Sequence, residues 1–119
     1  MRINNYKELI VWQKAVELTV LIYSVVNNFP KEEKFGLISQ VTRSSVSIPS
    51  NIAEGAGRGS KKEFSQFLSI AMGSCFEMET QLIIANKLGW IDEEKFQDLI
   101  NRKDEIQKMI FGLKQSLEN

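Results

Sequence analysis

Pro49 stands in the middle of a segment that its neighbours mark as helix. Around it, Ile38, Val41, Ser45, Ile48 and Ile52 recur at three-four spacing, the apolar stripe of one helix face. A proline inside that stripe removes a backbone donor and crowds the carbonyl four residues back, that of Ser45, at a cost of roughly 3 kcal/mol. Such a residue survives where the surroundings hold a bend or the break serves a purpose. The chain must therefore fold so that something else supports this helix at Ser45.

The rest of the sequence supplies three more helices. Val11, Ala15, Leu18, Ile22, Val25 and Phe29 alternate at four and three, the seam of a bundle helix expected from about Asn5 to Asn27. Pro30 ends it. Glu32 and Glu33 suit the positive start of the second helix, which should run to Glu54 with a kink at Pro49. Gly55, Gly57 and Gly59 follow, as residues for left-handed caps and tight turns. Ser60 and Glu63 form a capping box for the third helix, whose seam is Phe64, Leu68, Ala71, Cys75, Met78, Leu82 and Ala85. Asp92, followed by two glutamates, opens the fourth. Its stripe is Phe96, Leu99, Ile106, Ile110, Leu113 and Leu117, interrupted by Lys103. No segment alternates as a strand would. The expected fold is all-α, an antiparallel up-down four-helix bundle in one domain over residues 1–119.

These seams leave apolar residues over. Leu9, Trp12, Val16 and Val26 on helix one, with Phe67, Ile70, Phe76, Ile83 and Ile84 on helix three, lie outside them. Ile100, Met109 and Phe111 add to the surplus on helix four. A core face needs about 100° or somewhat more of a helix. Wider faces than that point to burial against other subunits.

The chemistry is limited by what the chain lacks. Without histidine it cannot build Glu-x-x-His di-iron sites, Ser-His-Asp or Cys-His nucleophile arrangements, or histidine-containing zinc sites. Its one cysteine, Cys75, lies on the helix-three seam and reads as a small core residue. Glu77 and Glu79 are two apart on a helix, point to different sides and make no catalytic pair. The run Gly55 to Lys62 imitates a phosphate loop but has Ser60 where the motif needs glycine, and a helix precedes it rather than a strand. What remains is a possible anion contact at Arg58, Lys61 and Lys62, beside the free amides that open helix three. The balance of 15 basic against 15 acidic residues provides no global field for a polyanion. The polar start Met1 to Glu8 has no signal-sequence pattern and no apolar run approaches a membrane span, so a reducing cytoplasm is expected.

The segment SVSIPSNIAEG, then Arg58 and SKKEFSQFLSIAMGS, resembles the signature of four-helix-bundle proteins encoded in intervening sequences of bacterial 23S ribosomal RNA genes. Leu9, Trp12, Ala15, Leu18 and Tyr23 are similar to that family's first helix, and Ala71 to Leu82 to its Ala-x-Gly-Ser-x-x-Glu-x-Glu-x-x-Leu segment. Where the family shows two adjacent arginines, this chain has Thr42-Arg43. The resemblance implies an antiparallel bundle that assembles into rings, as a homopentamer, with no catalytic residues. A related protein, the accessory variability determinant of diversity-generating retroelements, binds nucleic acid through a strongly basic surface, which this neutral chain does not match.

The expectation is a non-enzymatic, ring-forming protein with no cofactor and no small-molecule substrate, acting on an unknown protein partner. The alternative is an accessory protein that binds RNA or DNA weakly through Arg43, Arg58, Lys61 and Lys62.

Overall fold

The structure, a computed structural model, describes residues 5–118; the polar start at Met1 to Asn4 lies outside them. Four α-helices carry the fold: α1 (Ile10–Val25), α2 (Leu37–Ala56), α3 (Lys61–Lys87) and α4 (Glu93–Glu118). They form an elongated antiparallel bundle of 44 × 24 × 20 Å. α2 and α3 share the most extensive packing, followed by α3 with α4, α1 with α2, and α1 with α4. The order around the bundle is therefore α1, α2, α3, α4, with α1 and α3 across the diagonal.

Every seam residue expected on helix one and helix three is buried, and in α4 Leu99, Ile106, Ile110 and Leu117 are buried as well. The helix ends differ from expectation. The first helix is not continuous from Asn5, because Leu9 is extended (φ −71°, ψ 121°) and separates a 3-10 turn at Tyr6–Glu8 from α1. A second 3-10 turn, Val26–Asn28, ends it. The second helix starts at Leu37 rather than near Glu32, since Gly36 (φ −107°, ψ −118°) breaks the path. Glu33 still serves that start from outside, its carboxylate accepting the Leu37 amide at 3.0 Å.

α2 runs through Pro49, which is buried. The Ser45 carbonyl that loses its amide partner there is met from α1, where the Thr19 hydroxyl lies 3.0 Å away. Thr19 Oγ1 also lies 2.9 Å from the Ala15 carbonyl, so its one hydrogen is shared between the two. A polar group freed in the core is thus satisfied by a neighbouring helix, as buried carbonyls require.

Small hydroxyl side chains bind α2 to α3. Ser44 Oγ lies 2.7 Å from Gln81 Oε1, and the Ser47 and Ser74 hydroxyls are 2.8 Å apart. Gly55 is inside α2 and buried, contrary to its expected place in a left-handed cap. Of the three glycines in that region only Gly59 has a positive φ, at 85°. Gly55 is there because the helices touch: a Cβ on it would lie 2.7 Å from the Phe67 Cβ.

α3 is long and apolar enough to cross a membrane by length and composition, with a mean hydropathy of 1.2 in its most apolar window. Here it is one wall of the bundle, with its seam buried against α2 and α4.

Candidate interaction surfaces

Lys103, which interrupts the apolar stripe of α4, is not turned out to water. Its side chain is 2% exposed, and its ammonium meets Glu79 Oε1 of α3 at 2.9 Å, Asp104 Oδ1 at 2.7 Å and Gln107 Oε1 at 2.8 Å. Three donors have three acceptors. Burial, the largest single influence, works against the charge, but the hydrogen bonds to Asp104 and Glu79 outweigh it and hold the amine above its usual 10.5. Glu79, no part of a catalytic pair, is the α3 half of this cross-helix pair. The sequence signal was present: Lys103 falls in phase with Leu99, Ile106 and Ile110.

Cys75 is fully buried on the α3 seam. Burial pushes its thiol up from 9.0 to about 11; Lys103 draws it down by less, and Glu79 adds to the rise. A shift of that size cuts the thiolate share near neutral pH by about 100-fold. The folded protein is expected to resist thiol reagents at pH 8 and to react only as fast as it unfolds. Rapid stoichiometric labelling without loss of helicity would show that this core position opens.

The residues proposed for anion contact are held in different ways. The Arg58 guanidinium reaches Glu54 at 3.0 Å and Glu63 at 3.7 Å, and lies 5.0 Å above the ring of Phe67. Glu54 and Arg58, four apart with the acid first, pair although α2 ends at Ala56. The Glu63 amide is taken by the Ser60 hydroxyl at 3.1 Å, so that cap occupies one of the amides at the start of α3. Lys61 and Lys62 are exposed on its first turn. Arg43 is exposed far along α2, about 20 Å from the end of that helix at 1.5 Å per residue. It lines a shallow groove with Gln40, Ser44 and Glu77. The structure thus brings Arg58, Lys61 and Lys62 together and leaves Arg43 apart. Among the described residues no group of three or more His, Cys, Asp or Glu side chains is arranged to hold a metal.

The surplus apolar residues divide. Val26 and Ile100 are buried within the subunit, and Leu9, Trp12 and Met109 pack against its core. Ile70, Phe76, Ile83 and Ile84 stay on the outer side of α3, and Phe111 of α4 is exposed as well. Met72, Phe76 and Phe111 line a groove of about 340 Å³ between those two helices.

The chain matches the family described as 23S rRNA-intervening sequence protein over residues 7–112. A crystal structure of a protein of unknown function from the S23 ribosomal protein family of Bacteroides thetaiotaomicron is similar, with a TM-score of 0.79 and 28% identity. The likeness covers 87% of this chain and 97% of that one. A search of curated proteins finds no match. A family match over nearly the full bundle, with the same fold in a solved relative, leaves one assignment: this chain belongs to the 23S rRNA-intervening sequence protein family.

Proposed function

We propose that this chain is a non-catalytic interaction protein that works as a homo-oligomer, a cytoplasmic ring of the pentameric kind its sequence resemblance implies. The observation that carries this reading is the outer side of α3. Ile70, Phe76, Ile83 and Ile84 sit there, turned away from the buried seam and at least one-third exposed. A helix with one buried seam needs no such second face, and large apolar side chains gathered on an exposed helix face are characteristic of association sites. The polar clusters support the absence of catalysis: Lys103 is fully engaged within the core, and the one cysteine is a buried, weakly acidic thiol.

Binding to nucleic acid has less support. Arg58, the centre of the basic group, already faces two carboxylates, and displacing them would weaken the net attraction for phosphate. Sedimentation velocity at micromolar concentration tests the proposal. A single discrete species of about five subunits is expected, and a monomer at those concentrations would overturn it.

A further inference from the structure

We infer that the groove between α2 and α3 holds a small zwitterion, a free polar α-amino acid, with Arg43 taking its carboxylate and Glu77 its ammonium group. The distribution of charge on these two helices leads to this. α2 carries only Arg43 and Glu54, and between its first and last turns α3 carries only Glu77 and Glu79. Glu54 is committed to Arg58, and Glu79 to Lys103. Arg43 and Glu77 are left, both exposed, and among the described residues neither forms an ion pair. They line one groove of about 330 Å³, together with Gln40 and Ser44. Two opposite charges thus share a cleft on an otherwise neutral face without meeting each other.

The floor beneath them is polar and fixed by helix packing. Ser44 is 3% exposed yet lines the groove. Its hydroxyl lies 2.7 Å from Oε1 of Gln81, which stands one turn beyond Glu77 on α3. Gln81 is itself 6% exposed, and its Nε2 has no partner among the described residues. No side-chain polar atom sealed from solvent lacks a partner there. That nitrogen therefore opens to the surface beside Ser44. A polar group held in place by packing loses little freedom when a ligand meets it.

The lining selects the ligand. The volume lies at the low end of the roughly 300–1,000 Å³ of small-molecule pockets, so the occupant is small. A carboxylate suits the Arg43 fork, and an ammonium suits the Glu77 carboxylate. A phosphate would suit Arg43 but would face Glu77 as a like charge, which favours a zwitterion over nucleic acid. All the lining residues are polar, so the groove offers no reward for a long aliphatic side chain. Closure of Arg43 on Glu77 in the free protein would be a weak surface pair that a ligand opens readily. The ligand is held and not converted, because the one hydroxyl in the groove is engaged by Gln81 and the Val41 carbonyl.

Calorimetric titration of the full-length protein with glycine, L-serine and L-glutamine tests the inference. The best binder is expected to have a Kd of about 1 mM or tighter. Its N-acetyl form, which lacks the ammonium, and its amide form, which lacks the carboxylate, should each bind about 10-fold or more weakly. Arg43→Gln should weaken the free amino acid by a similar factor and no longer distinguish it from the amide form. Glu77→Gln should instead lose the distinction from the N-acetyl form. Both positions are exposed, so circular dichroism should show each variant folded. Absence of saturable binding by any of these amino acids at ten times that concentration would overturn the inference, whether the chain is a ring or a monomer. So would binding that both variants leave unchanged, or a short RNA that binds through Arg43 where the amino acids do not.

Discussion

Replacing Lys103 with alanine is expected to cost about 3 kcal/mol of folding stability, the low end for breaking a buried ion pair. The loss has two parts. The four-carbon stem fills space on the α4 seam between Leu99 and Ile106, and the ammonium is the cross-helix partner of Glu79. Glu79 is one-third exposed and can turn to water, which limits the penalty of leaving it alone. Lys103→Met keeps the stem and removes the charge, so it should cost less than half as much. Urea denaturation of both variants checks this, and an alanine cost below 1 kcal/mol would mean that the pair adds nothing to the bundle. The pH dependence follows from the direction of the shift. The Lys103 amine is held above 10.5, so its contribution is full below that value and is lost as pH rises through the higher folded value. Cys75, raised from 9.0 to about 11, acts in the same sense: its contribution is full below pH 9 and fades as pH rises toward the folded value. Alkaline unfolding should therefore be shallower in Lys103→Met and Cys75→Ala than in the parent chain.

Gly55→Val should destabilise by about 3 kcal/mol, at the upper end for overpacking a core. Even an alanine Cβ there would lie 2.7 Å from the Phe67 Cβ and 3.0 Å from Phe64 Cδ1. The Phe67 Cβ is fixed to the α3 backbone and cannot rotate aside, so α2 and α3 must separate. Gly112→Ala is the control. It lies in α4 with nothing within 4 Å of the added carbon, and alanine should raise stability there by about 1 kcal/mol through helix propensity. Thermal melts of the two variants should move in opposite directions. Equal shifts would remove the close-approach explanation for Gly55.

The seams were legible in the sequence because burial repeats with the helix. Phe64 through Ala85 could be read directly as the inner face of α3. Helix ends were less legible, since periodicity does not record where the backbone leaves the helical region. Leu9 keeps the spacing of helix one while standing in extended conformation, and Gly36 resets the chain after an acidic pair that looked like a first turn. Gly55 shows a related limit. Three glycines in a row of alternate positions suggest a turn, but a glycine that admits another helix has the same letter as one that turns left. Lys103 was read as an interruption because charge normally marks the outer face, and its partner Glu79 lies 24 residues away on another helix. The candidate basic group was visible as a cluster; the carboxylates that face Arg58 were not weighed together, because the Glu63 contact closes only once the loop between α2 and α3 is folded.

The hydrogen bond from Thr19 to the Ser45 carbonyl makes α2 dependent on a segment synthesised before it. On the ribosome α1 emerges first, without the neighbour that its Thr19 will serve, while α2 and α3 can meet as soon as both have left the exit tunnel. Until α1 joins them, the α2–α3 hairpin carries an open acceptor at its midpoint, where water can enter. A chain lacking its first segment would leave the Ser45 carbonyl to water, a hydrated defect in the wall of its own core.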